Sequence, residues 1–257
     1  MRGKLAMKTY SCIIAIGMLL CAITAGAQEM TPRPPDFDLP KFYAEVMNFS
    51  YLPPDTTRLD VFLQVPYQML SFVKDDEVFK ASYDVTVNIF DSTDTPMVEK
   101  LWTEKVETKS FSESVSKHTG NISQRTFFLR PGNYSLQVQI ADNETKKIAQ
   151  IKRKVIVRKF LPAALSMSDI MIIGNMIKQG DRIEIVPNVS SYVGEMAEGF
   201  SVFFEAYDYS PVDSAMFVLD VRNLRGDIVQ SDTLKRSLLK EKNSCFMKIT
   251  SQKVSAG

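Results

Sequence analysis

The sequence predicts an all-β protein: two Ig-like antiparallel β-sandwich domains in tandem, the second incomplete at its C-terminus, preceded by a signal peptide. Three observations predict it. Short runs alternate strictly between apolar and polar side chains, as half-buried antiparallel strands do. Clusters of turn-forming residues separate those runs at the spacing of a sandwich. One strand–turn–strand phrase also occurs twice along the chain. The plainest strand lies in FFLRPGNYSLQVQIAD, residues 127–142, where a Pro-Gly turn leads into Tyr134, Leu136, Val138 and Ile140 on one face.

The N-terminus puts Arg2, Lys4 and Lys8 ahead of an apolar run from Ser11 to Ile23 and closes on Ala25-Gly26-Ala27. Residues 1–27 read as a secretory signal peptide, because about thirteen apolar residues fall short of the roughly 20 that a spanning helix needs. Cys21 follows Leu20 rather than a small residue, which argues against lipidation. Cleavage after Ala27 removes Cys12 and Cys21 and leaves Cys245 alone, so no internal disulfide is expected. The leader also carries three of the 31 basic residues and none of the 30 acidic ones. The mature chain is then slightly acidic, with no general attraction for nucleic acid or anionic membrane. The expected location is periplasmic or extracellular, without stable membrane insertion.

Residues 28–40 form a Pro-rich extended arm, with four prolines that cannot donate to a sheet ladder. The first domain, 41–159, opens with Phe42, Ala44 and Val46. It continues with Leu59, Val61, Leu63 and Val65, then with Ala81, Tyr83, Val85, Val87 and Ile89. PYQMLSFVKDD between the second and third runs is a loop or a strand continuation, since Pro66 interrupts the ladder. Turns are predicted at DSTDTP (91–96), PGN (131–133) and DNETKK (142–147). FLPAALSMSD, 160–169, is read as a linker, and 170–257 as the second, truncated domain. There Phe217, Leu219 and Val221 match Val85, Val87 and Ile89; Asn223 to Asp227 match Asp91 to Thr95; and a new run opens at Val229 as at Val98. DTLKRSLLKEK, 232–242, sets Leu234, Leu238 and Lys242 at helical spacing, but the flanking runs argue for a sheet.

The segments 60–91, 129–142 and 186–210, with LSMSDIMI at 165–172, resemble the N-terminal and middle regions of GWxTD domain-containing proteins. That resemblance implies an exported bacterial protein of uncharacterised role. The name-giving motif has no counterpart: Trp102, the one tryptophan, follows Leu101 rather than glycine. No site residue is therefore carried over. Ser255-Ala256-Gly257 resembles Arg130-Pro131-Gly132, so the chain is expected to stop at a turn before its last hairpin. Residues 161–257 would then be weakly folded, with an open strand edge for a protein partner.

No catalytic, cofactor or metal residue is assigned. His118, the single histidine, lies in polar SVSKHTGNIS, where nothing orients a general base. No CxxC, HExxH, GxGxxG or Walker-type loop occurs. The carboxylates Asp36, Asp38, Asp75 to Glu77, Asp91, Asp94, Asp208 and Asp213 sit in turn contexts that favour aspartate for backbone reasons. KKIAQIKRKVIVRKF, 146–160, carries seven Lys or Arg residues and reads as a guarded sheet edge rather than a nucleic-acid stripe. Of five N-x-S/T triplets, at Asn48, Asn121, Asn133, Asn143 and Asn188, none needs a glycan in a bacterial chain. The expectation is an exported, non-catalytic interaction or scaffold protein. The alternative is a carbohydrate-binding or carbohydrate-processing module using Trp102, with Tyr83 or Tyr134, and the turn carboxylates.

Overall fold

The computed structural model describes residues 42–53, 55–161, 165–179, 182–191, 193, 199–209, 213–238 and 241–250. The leader, the Pro-rich arm and Ser255-Ala256-Gly257 lie outside the described residues. No helix among the described residues is long and apolar enough to cross a membrane.

The first sandwich is built from β1 (Tyr43–Ser50), β2 (Thr57–Pro66), β3 (Val73–Asp75), β4 (Val78–Phe90), β5 (Pro96–Thr108), β6 (Gly120–Leu129), β7 (Gly132–Asp142) and β8 (Ile148–Val157). One sheet runs β1–β2–β6; the facing sheet runs β4–β7–β8, with β5 and the short β3 also paired to β4. Every pairing is antiparallel. Ala81, Tyr83, Val85, Val87 and Ile89 of β4 meet Leu59, Val61, Leu63 and Val65 of β2 in one core. The strict alternation read from the sequence is thus the inward face of each strand. Tyr134 donates its hydroxyl proton to the Arg130 carbonyl, 2.9 Å away. This is the tyrosine corner of Ig-type sandwiches. After Pro66 the chain makes a 3₁₀ turn, Tyr67–Met69, and then enters β3.

Beyond residue 160 the strands are β9 (Ser166–Met167), β10 (Met171–Gln179), β11 (Arg182–Pro187), β12 (Phe200–Tyr207), β13 (Ser214–Arg222), β14 (Ile228–Ser237) and β15 (Lys242–Ile249). One sheet runs β11–β10–β12–β15, with β9 also on β12; β13 and β14 form a separate hairpin. Val202, Phe204 and Ala206 of β12, Phe217 of β13, and Cys245 and Met247 of β15 share a core with Leu238. β12–β15 corresponds to β2–β6, and β13–β14 to β4–β5. Among the described residues nothing corresponds to β7 and β8. The 232–242 stretch is strand as far as Ser237, paired along its length with β13.

The stretch read as a linker is packed. Phe160 is buried edge-on against Tyr207, with ring centroids 5.5 Å apart. Ser166 and Met167 pair with Tyr207 and Ala206, and Ser168 is buried. Asn48 of β1 is the hub of the joint: its N–H and side-chain amide both donate to Asp169, at 2.7 and 2.8 Å, and its carbonyl accepts from the Asp169 N–H at 3.1 Å. Its side-chain oxygen accepts from the Arg158 N–H, and Arg158 pairs with Asp169 at 2.9 Å. Asn48, one of the triplet asparagines, is therefore buried in polar contacts.

Around this hub, Met47, Phe49 and Phe62 pack against Met171, Ile173, Val189 and Phe203. Those three side chains point away from the first core, so β1 and β2 bury both faces. Deeper in the joint, Arg58 bridges Asp60 (3.4 Å) and Glu205 (3.8 Å), and Lys242 reaches Glu205 at 2.6 Å. Burial pushes the Asp60 carboxyl above the usual range, against the Thr126 hydroxyl and Arg58, which pull it down. Phe62→Ala should cost about 3–5 kcal/mol. Urea unfolding should show the loss; a change below about 1 kcal/mol would mean that this contact does not hold the two halves together.

Candidate functional site

The two hairpins obey one local rule. In the first, the Asp91 carboxylate accepts from the N–H groups of Thr93 and Thr95, and the Asp91 N–H donates to the Thr95 carbonyl. In the second, the Asn223 side chain accepts from the N–H groups of Arg225 and Asp227, and the Asn223 N–H donates to the Asp227 carbonyl. Each turn needs one residue with positive φ, Asp94 at 59° and Gly226 at 88°; Gly226 takes that conformation without a Cβ penalty. A bulge follows both turns, between Ile89 and Phe90 and between Val221 and Arg222. Val98 pairs with Ile89 and Gln230 with Val221, so the counterpart of Val98 is Gln230 rather than Val229.

The equivalence stops at the next flank. β4 is paired by β5 on one side and by β7 on the other, whereas β13 is paired by β14 alone among the described residues. Alternate N–H and C=O groups of β13 thus face a flank with no strand among the described residues. Met216 and Val218 are 68% and 56% exposed. The inward Ala215, Leu219 and Val221 are only half-buried, while their counterparts Tyr83, Val87 and Ile89 are fully covered. Other edge strands carry charge: Glu99, Lys100 and Lys105 on β5, Lys152, Arg153 and Lys154 on β8, Lys242 and Lys248 on β15. Ser214 to Leu219 of β13 carry none. Lysines along an edge oppose strand addition, and an uncharged edge invites it.

The residues considered for chemistry from the sequence do not converge. His118 is exposed and its backbone N–H donates to the Ser116 hydroxyl. Asp75 pairs with Lys80 at 2.7 Å in the β3–β4 turn. Asp208 is buried at the end of β12, and Asp213 accepts the Leu238 N–H through its carbonyl. Asp36 and Asp38 lie outside the described residues. Cys245 is buried in the second core, and burial pushes its thiol up. β8 is the terminal strand of its sheet. Its Arg153 guanidinium donates to the Ala44 carbonyl at 2.9 Å, across the seam between the two sheets. An open groove of about 840 Å³ beside it is lined by Asp91, Asp94, Lys152 and Lys154, but Lys152 already lies 3.9 Å from Asp94.

Trp102 closes the opposite seam. Its indole N–H donates to Glu104 at 2.7 Å, and the Arg125 guanidinium lies 4.2 Å over the ring. Asn121 links Glu104 to the hydroxyl of buried Tyr83, which accepts at 2.9 Å. A sugar stacking on this face would have to displace Arg125. Tyr134 is engaged in its corner. The sequence did not point to Glu104 or Arg125 and marked Asn121 only as a glycan triplet; all three are ordinary polar positions until the two sheets face each other. No protein-family model matches the chain, and no curated protein matches it.

Asp142 is the most heavily used of the turn carboxylates. Burial pushes its carboxyl up, but hydrogen bonds from the Thr145 and Ser71 N–H groups, the Thr145 hydroxyl and the Glu144 N–H outweigh burial and hold it below the usual range. A depressed carboxyl contributes stability that is present above its unfolded pKa and lost as pH falls through its folded value. Asp142→Asn turns an amide toward the Ser71 N–H and should cost about 1–3 kcal/mol at pH 7. The gap between wild type and variant should narrow below about pH 4. Urea midpoints across pH check this; a gap independent of pH would contradict it.

Proposed function

We propose that this chain is an exported, non-catalytic interaction or scaffold module whose binding element is the free flank of β13. One observation carries the reading: β13, without charge from Ser214 to Leu219 and with Met216 and Val218 exposed, is unpaired among the described residues on the flank where its counterpart β4 takes β7. Strand addition to such an edge gives affinity through main-chain hydrogen bonds and specificity through alternate side chains. The packed joint supports the scaffold part of the reading, because a partner held at β13 would be held at a fixed place relative to the first sandwich. The charged start, the short apolar run and Ala25-Gly26-Ala27 support export. The resemblance of residues 60–91, 129–142 and 186–210 to GWxTD domain-containing proteins supports the same setting.

The test is site-specific photo-crosslinking in the cells that make the protein. A photoreactive phenylalanine at Met216 or Val218 should give a discrete adduct, and one at Lys154, exposed on the guarded β8 edge, should give none. The crosslinked chain should begin at Gln28 by mass spectrometry. Absence of adducts from β13, or equal adducts from Lys154, would overturn the reading; a chain that keeps Met1 in the membrane fraction would overturn export.

A further inference from the structure

Resting on that reading, we infer what docks: an antiparallel β-hairpin from another polypeptide, whose first strand places apolar side chains at alternate positions opposite Phe217, Leu219 and Val221. The first sandwich holds the template. There β7 lies on β4 with Ile140 opposite Val85, Val138 opposite Val87 and Leu136 opposite Ile89. The shared turn and bulge give Phe217, Leu219 and Val221 the places of Val85, Val87 and Ile89. A strand in the β7 position therefore meets those three residues in that order.

Two features of β13 select the chemistry. The half-buried residues on its inner side, Ala215, Leu219 and Val221, are the ones a β7-like strand would cover, so the docking strand needs apolar side chains inward. Its charged residues come late and are already bonded: Asp220 pairs with Arg222 at 3.3 Å and accepts from the Ser231 hydroxyl at 2.8 Å. A charged strand would find no complementary partner along Ser214 to Leu219. The outward positions of the occupant are then small or amide side chains, as Ser135, Gln137 and Gln139 are on β7. A single added strand would carry its own open flank. In the first sandwich β8 closes that flank and adds Val155 and Val157 to the core, which makes the occupant a hairpin.

The probe is a fluorescently labelled synthetic peptide spanning residues 131–158, titrated with the full chain and followed by anisotropy. Saturable binding is expected, and it should weaken by at least about tenfold when the peptide carries Leu136→Ser, Val138→Ser and Ile140→Ser. Register is read by oxidative crosslinking. A Val221→Cys chain should form a disulfide with a Leu136→Cys peptide and not with an Ile140→Cys peptide. Binding indifferent to the three serines, or crosslinks in another register, would overturn the inference and leave the open flank standing. No peptide binding while Met216 still gives a photo-adduct would likewise sink the hairpin alone. Loss of both would sink the inference and the reading beneath it. A concentration-dependent dimer that excludes the peptide would make a second copy the occupant and overturn the commitment to a separate hairpin.

Discussion

The constraint on which the rest of the structure depends is that β1 and β2 are buried on both faces. Their inward residues, Leu59, Val61, Leu63 and Val65, fill the first sandwich. Their outward residues, Met47, Phe49 and Phe62, are covered by Met171, Ile173, Val189 and Phe203. A sheet normally satisfies one apolar face against its partner sheet and leaves the other to water. Here the outer face is itself a core, and removing its cover would expose three large apolar side chains. The sheet containing β10 and β12 is held at that place, with its far face turned to the β13–β14 hairpin. The joint thereby fixes where the β13–β14 hairpin lies relative to the first sandwich.

Polar groups in the joint add direction to that apolar contact. A hydrophobic patch alone tolerates sliding, whereas Asn48 accepts and donates at fixed points on Asp169 and Arg158. Arg58 and Lys242, both reaching solvent, flank the buried carboxylates Asp60 and Glu205, and each carboxylate has a cation within 4 Å. Removing Arg58 would leave Asp60 buried without its cation, which is costly. The Tyr207 hydroxyl, donating to Glu205, is pushed well up by burial and by that neighbouring carboxylate.

The sequence was most legible where one face of a strand is apolar and the other polar. KASYDVTVNI carries its alternation without exception, and its five inward residues are those of the core. The repeat was legible because turn chemistry is local: Asp91 and Asn223 each cap their own loop and need no distant partner. The joint was not legible. Phe62 falls in the polar phase of TRLDVFLQV, between Asp60 and Gln64, and one apolar residue out of phase is too weak a signal to announce a second core. Asn48 and Asp169 lie far apart in the chain and look like ordinary polar residues until β1 and the β9–β10 connection meet. The bulge shifts pairing by one residue, which is why alternation alone matched Val98 to Val229. The β13 edge lies between these cases: an open strand edge in the second half was expected from the repeat, but the contrast between Ser214 to Leu219, which carry no charge, and the lysine-bearing edges depends on knowing which strands end their sheets.

The central claim is that β13 has a free flank in the isolated chain, and amide hydrogen exchange measured residue by residue on the dilute monomer tests it most directly. The account predicts two classes along residues 214–222. Amides directed at β14 should be protected, and those directed away should exchange as exposed amides do, while the amides of β4 are protected on both flanks. Protection of every β13 amide in a chain shown to be monomeric would mean that the flank is already occupied, and would contradict the account.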